Sequence, residues 1–368
     1  MNDHSERQRQ SVERGEALAS AACRIKRFGF ALLYLLTILL SLELASRLFW
    51  TIHHGVSFLS PNLLYAFYPE LEPVHSPSDD DPEDAIDILL LGGSVFHEDF
   101  STVPSMLQRR LEAKTGRPVR IRNLARAAHT SRDSYLKYEL LKDRKFDLVL
   151  FYHGINQARA NNSPPAVFRD DYSHYSWYAN IQRLQAHRES RYLVLPYTLV
   201  YLGSAVSERI GLTRHVPIQN PRAEWLVYGR EVKTERSFRM NLEQILERAE
   251  ERDEPVLLMT FATYVPSDYT HGRFIRKELD YAWHSLPIEL WGVPTQVQDA
   301  VKKHNAVVEQ LAREHGTLFV DQDHLIPKTR TYFNDICHLT PRGGREFVSN
   351  IEGLILEHLV GEPSPENP

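Results

Sequence analysis

The sequence predicts an α/β fold built on one parallel sheet with helices on both faces, and two observations carry that prediction. Five short apolar runs recur between residues 85 and 360, separated by segments of helical periodicity. Strands buried on both faces read as continuous apolar runs, and strands that alternate with helices pair in parallel. In addition, residues able to do chemistry directly follow three of these runs, at the carboxyl edge where parallel sheets collect their sites.

The elements follow in order. IDILLLG (86–92), bounded by acidic and glycine residues, is the first strand, and 103–115 reads as a helix. VRIRNLA (119–125) is the second strand, and helix 131–143 leads to a third, DLVLFYHG (147–154). An amphipathic helix over 239–252 precedes strand PVLLMTFA (255–262). Helix 297–314, strand TLFVD (317–321) and a helix from Pro341 to about Leu359 complete the pattern.

At 368 residues the chain has room for one large domain or two modest ones, and 42% hydrophobic with 25% charged residues is ordinary globular composition. A net charge of −5, without a basic stripe interleaved with aromatics, gives no reason to expect a nucleic-acid partner. Two cysteines, Cys23 and Cys337, are too few for a disulfide framework.

Residues 1–27 are polar and of mixed charge, read as a disordered cytoplasmic tail. The 15 residues from 28 to 42 carry no charge, and the apolar character runs on to Trp50, giving 23 residues in all. That length suits a transmembrane helix, with Glu43 and Arg47 one turn apart and able to pair. Arg24, Lys26 and Arg27 precede it, whereas no Lys or Arg lies between Leu48 and Gln108. By the positive-inside rule the N-terminus is cytoplasmic and the chain after Trp50 is exported, to the periplasm or beyond. A cleaved signal peptide fits less well, because ELASRLFW does not resemble a small-residue cleavage site. Residues 51–84 read as a linker ending in SPSDDDPED, 85–360 as the folded domain, and 361–368 as a tail.

Three strand ends carry candidate chemistry. The first ends in Gly92-Gly93-Ser94, a serine on a tight turn at the carboxyl edge; an N-cap role is the alternative. The third ends in His153-Gly154-Ile155-Asn156, where a side-chain amide can donate to a developing oxyanion, or merely shape its loop. After the fifth come Asp335 and His338, three residues apart and just before a helix whose first turn contains Pro341. An imidazole oriented by a carboxylate can serve as general base toward a serine. Cys337 is a poorer nucleophile candidate, since side chains of adjacent residues on an extended loop diverge. No metal site is expected, because His53-His54 lack any HxxxH or CxxC companion.

LLLGGSVFHED, NLARAAHTSRDS, LVLFYHGINQ and YFNDICHLTPRGG resemble, in order and spacing, the successive blocks of the SGNH or GDSL hydrolases. The resemblance implies a flavodoxin-like three-layer α/β/α sandwich with a five-stranded sheet. It also implies Ser94 as nucleophile and Asp335 and His338 as the other triad members. Ser94, Ala128 and Asn156 would supply the oxyanion hole, and no metal or organic cofactor is needed. Three departures stand out: Gly-Gly-Ser replaces Gly-Asp-Ser, Ala128 replaces a glycine, and Gln157 follows Asn156 where Asp is common.

An aromatic-rich insertion of about 75 residues occupies roughly 160–235, far more than a crossover requires. Within it YLVLPYTLVYLGSAV (192–206) is nearly all apolar, read as a cap helix over the sheet or a surface lying against the membrane. The function expected is acyl transfer to Ser94 followed by hydrolysis, on a small-molecule, glycan or lipid ester outside the cytoplasm. The alternatives are O-acetyl transfer to an exported polysaccharide, which related membrane-linked proteins perform, and a catalytically silent glycan-binding module.

Overall fold

A computed structural model describes residues 3–75, 84–217 and 222–360, with side chains from residue 23 onward. In chain order the elements begin α1 (Asp3–His54), β1 (Ile86–Gly92), α2 (Val103–Thr115), β2 (Val119–Asn123), α3 (Ser131–Leu140) and β3 (Leu148–Tyr152). Next come α4 (Ser176–Ala186), α5 (Leu195–Arg209), α6 (Thr234–Arg252), β4 (Val256–Met259), α7 (Pro294–His315), β5 (Leu318–Val320) and α8 (Pro341–Val360). The chain divides into two compact units, Met1–Phe67 with Arg183–Thr213, and Tyr68–Gln182 with Arg214–Pro368.

The larger unit holds the sheet, in the order β2-β1-β3-β4-β5 and parallel throughout. One row across it pairs Leu90 with Leu150, Leu150 with Leu257, and Leu257 with Leu318. Asp87 is tolerated in the otherwise apolar β1 because Arg120 and Arg122 on β2 reach its carboxylate at 3.3 and 3.1 Å. Helix α2 packs against α8, while α3, α6 and α7 pack in a row, so both faces of the sheet are covered. Gly116 and Gly316, at φ 65 and 64, close α2 and α7 in the left-handed conformation that glycine adopts without a Cβ clash. From β1 the chain moves out to β2, then returns past β1 to β3. In open parallel sheets, such a reversal marks the place where sites form, beyond the carboxyl ends of β1 and β3. The predicted five-stranded parallel sheet with helices on both faces is the fold observed.

The smaller unit is built around α1. Its stretch Cys23–His54 is long and apolar enough to cross a membrane, and Phe28, Phe30, Leu33, Tyr34 and Leu40 are all exposed. The helix starts at Asp3, so the residues read as a disordered tail are helical from there. Ala, Glu, Gln and Arg, all strong helix formers, dominate that stretch. Glu43 and Arg47 pair at 2.8 Å, and Glu43 also accepts from the N–H groups of Val194 (3.1 Å) and Leu195 (2.9 Å), satisfying the orphan donors that open α5. Trp50 donates to Thr198 Oγ1 at 2.9 Å and stacks on Tyr197. The apolar segment read as a cap helix or a membrane-facing surface is therefore α5, packed with α1.

The 51–84 linker is a correction. Residues 63–66 and 69–75 form short helical turns that bury Leu63, Phe67, Tyr68, Leu71 and Val74, an apolar set too large to leave in water. Its acidic end, residues 76–83, and the tail 361–368 lie outside the described residues.

Candidate active site

Ser94 opens a short 3₁₀ turn immediately after β1. His338 Nε2 lies 2.8 Å from Ser94 Oγ across 244 positions of sequence. Asp335 Oδ2 lies 2.9 Å from His338 Nδ1, and both residues are buried. The carboxylate also accepts backbone N–H groups from Leu286 (3.1 Å), Cys337 (3.0 Å) and His338 itself (2.9 Å). Four donors converging on one buried carboxylate leave it a single orientation. With the proton of the neutral imidazole on Nδ1, Nε2 is the acceptor that faces the serine hydroxyl. Phe100 stacks on the imidazole at 5.0 Å between centroids and fixes the ring plane.

Burial by itself pushes His338 down, and the Cys337 sulfur and the Asp335 carboxylate more than reverse this, so it titrates above its ordinary value. Burial also raises Cys337. A thiol held protonated exerts little of that pull near pH 7, so there the raising comes from the Asp335 carboxylate hydrogen-bonded to Nδ1. Cys337 Sγ sits 3.7 Å from Nδ1, the nitrogen already committed to Asp335, and not from the nitrogen that faces Ser94. Both cysteines are free. Asp335, Cys337 and His338 also hold three ligand-type atoms within 4.8 Å of one another. The donors already on the carboxylate and on Nδ1 would have to be displaced before a cation could share them.

Asn156 follows β3. Its Nδ2 donates to His129 O at 2.8 Å, and its Oδ1 accepts from Trp291 Nε1 at 3.0 Å. These two contacts fix which way the amide faces and leave one Nδ2 hydrogen over. A Cβ on residue 93 would lie 2.9 Å from Asn156 Nδ2. That proximity is a physical reason for Gly-Gly-Ser in this chain. Ala128 has φ 65, a left-handed backbone that costs an alanine about 1 kcal/mol and a glycine nothing. The alanine keeps the glycine's conformation and its N–H. Gln157 is fully buried, and with its amide turned to donate to Gly154 O (3.3 Å) it accepts from Ser131 N at 2.9 Å, so it ties β3 to α3.

Sequence reasoning missed the groups that hold this side in place. Lys137, wholly buried on α3, donates to Glu70 Oε1 (3.1 Å), to His129 Nδ1 (3.0 Å) and to Leu124 O. One ammonium thus uses all three of its donors to staple both ends of the loop that carries Ala128. Burial, then the Lys137 charge, lowers His129 to about 4, so it is neutral when it accepts from Lys137. Asp133 caps α3 through Thr130 N (2.8 Å) and accepts from Tyr68 (2.9 Å) and Tyr178 (2.6 Å). Much of the insertion's aromatic content is spent on such burial, with Tyr172, Tyr175 and Tyr178 all in the interior. An internal Lys in an otherwise ordinary helix gave no signal, and Trp291 is 135 positions from the amide it orients.

The family model of GDSL-like lipases and acylhydrolases matches residues 90–345. Among curated proteins nothing matches the chain. Similar solved structures include a GDSL-like lipase from Bacteroides thetaiotaomicron, 13% identical with a TM-score of 0.41, covering 79% of this chain and 97% of its own. An acetylxylan esterase from Geobacillus stearothermophilus has 13% identity and a TM-score of 0.41, with 77% of this chain and 97% of that one covered. A lipase/acylhydrolase from Enterococcus faecalis has 17% identity and a TM-score of 0.37, covering 73% and 96%. With its model matched over more than half of the sequence, the chain belongs to the GDSL-like lipase/acylhydrolase family and is an ester hydrolase.

Proposed function

We propose that this protein is a membrane-anchored serine hydrolase of acyl or acetyl esters, with Ser94 as nucleophile, His338 as general base and Asp335 as the group that orients it. The observation that carries the reading is the 2.8 Å contact from His338 Nε2 to Ser94 Oγ. Ser94 Oγ bonds to the ester carbonyl carbon as its proton passes to His338 Nε2, and the imidazolium then protonates the departing alcohol oxygen. Water repeats the sequence on the acyl-serine, gives its proton to His338, and releases the acid. The N–H groups of Ser94 and Ala128 and the remaining Nδ2 hydrogen of Asn156 receive the tetrahedral oxyanion.

The anchor is α1 over residues 28–50. The basic residues before it support a cytoplasmic N-terminus and an exported catalytic unit. The substrate is then an ester of an envelope glycan or lipid. Alkaline phosphatase fused after Pro368 should be active; a cytoplasmic reporter active there instead would reverse the orientation. The enzymatic test is release of acid from acetyl and longer-chain esters by the full chain in detergent, because removing α1 would uncover Tyr197 and Thr198. Acid released to water supports hydrolysis. Acyl product formed only when a sugar hydroxyl is supplied would make the protein a transferase.

A further inference from the structure

Arg159 is a charged group near the reaction centre that the mechanism leaves unused. It lies on the 3₁₀ segment Asn156–Asn162, three residues beyond Asn156. Residues i and i+3 of a 3₁₀ turn eclipse one another, so both side chains leave on the same side. The guanidinium sits over the Trp291 ring, 5.4 Å from its centroid, and the indole N–H of that same ring holds Asn156 Oδ1. It is also within electrostatic reach of the Cys337 sulfur, next to His338, and of Tyr175.

Arg159 combines that position beside Asn156 and Trp291 with an unmet donor. Its Nε is buried without a hydrogen-bond partner, and among the described residues no carboxylate pairs with it. Several other cations of the same unit are paired. Arg126 and Lys137 share Glu70, Lys328 pairs with Asp323 at 2.6 Å, and Lys233 donates to Asn161 O at 2.7 Å. A part-buried charge without a counter-ion is destabilising, and burial correspondingly lowers the pKa of Arg159. A planar fork of donors placed over an indole, with no carboxylate of its own, matches a carboxylate or phosphate supplied from outside.

Building on the hydrolase reading above, we propose that Arg159 binds an anionic group on the alcohol half of the substrate, so that the preferred esters are those of acidic sugars or phosphorylated carriers. The face it shares with Asn156 puts that anion beside the ester whose oxyanion Asn156 receives. The bound anion supplies the partner that the chain itself withholds.

The test compares three acetyl esters on the full chain in detergent: an acetylated methyl glucoside, the matching glucuronate, and the matching glucose phosphate. The wild type should favour at least one anionic ester over the neutral one, and which of the two identifies carboxylate or phosphate as the anion. Arg159→Gln should lower the anionic-to-neutral ratio of kcat/KM by about 10–100-fold, mostly through KM, as loss of a charge-assisted hydrogen bond predicts. Arg159→Lys should restore part of the ratio. No anionic preference in the wild type would overturn the proposal, as would a parallel fall on all three esters in Arg159→Gln. Free methyl glucuronide or glucose phosphate should also protect Ser94 from a fluorophosphonate in the wild type and not in Arg159→Gln. Labelling of Ser94 without such protection sinks the Arg159 assignment alone, whereas absence of labelling sinks the hydrolase reading beneath it.

Discussion

The two sides of the cleft around Ser94 are assembled in different ways. On the base side, Asp335 and His338 come from one loop, and the carboxylate takes backbone donors from Cys337 and His338 within that loop. On the oxyanion side, Ala128, His129 and Asn156 come from two loops, and Trp291, Lys137 and Glu70 hold them from three further places in the chain. The base pair is itself local, with Leu286 and Phe100 its contacts from elsewhere, whereas the oxyanion side rests throughout on long-range packing. Substitutions on the base side should therefore act through chemistry, and those on the oxyanion side through both chemistry and position.

The largest effect expected is on the base side and at the nucleophile. Ser94→Ala and His338→Ala should each lower kcat by about 10⁴–10⁶-fold, and the double variant should lose little more. Asp335→Ala should retain more rate, because the carboxylate orients the base without replacing it. Circular dichroism should find all of these folded. Independent, additive losses would mean that the groups do not work as a unit.

On the oxyanion side, Asn156→Ala should lower kcat by about 10²–10³-fold with little change in KM. Trp291→Phe keeps the ring and removes the indole donor to Asn156 Oδ1, so a loss of about 5–10-fold is expected, as for one hydrogen bond. Combined with Asn156→Ala it should add nothing further. Full additivity would show that the indole acts on something other than the amide.

A smaller effect separates the two sides by pH. Because His338 is held above its ordinary value, its neutral form, the one that can take the Ser94 proton, becomes the majority only above pH 6.5. The kcat/KM should therefore rise with pH, to a midpoint above the usual 6.5. Its stability contribution has the opposite sense, complete below pH 6.5 and lost as pH rises through the folded-state value. Asp335→Asn removes the anion and should shift the kinetic midpoint down, whereas Asn156→Ala should leave it in place. A midpoint unmoved by Asp335→Asn would remove the carboxylate from the account of His338.

The smallest effect is Ala128→Gly. With φ 65 at that residue the glycine should raise stability by about 1 kcal/mol, read from denaturant midpoints. Destabilisation there would mean that the Ala128 methyl contributes packing that outweighs the strain.

What was legible in the sequence follows the same division. The strands were visible because burial on both faces writes itself as unbroken apolar runs, and the Asp335–His338 spacing because a local pair needs only one loop. The block that places Ala128 was recognisable, but not the left-handed backbone it adopts against its own preference. Lys137 reads as a surface residue of α3, and nothing near it in sequence announces Glu70 as its partner. The turns of residues 63–75 were missed because their apolar residues are sparse and interrupted by Pro61, Pro69 and Pro73. Their burial is decided by what they pack on. Likewise the apolar run that became α5 has a composition that fits a cap helix and a membrane surface equally, and its packing with α1 rests on Glu43, Trp50 and Thr198.

The central claim is that His338 activates Ser94, and covalent labelling by a fluorophosphonate tests it most directly. The full chain in detergent, digested and mapped by mass spectrometry, should carry one phosphonyl group on Ser94. The adduct should be absent in Ser94→Ala and form far more slowly in His338→Ala. A wild-type protein that stays unlabelled, or one labelled on Cys337 in place of Ser94, would contradict the account.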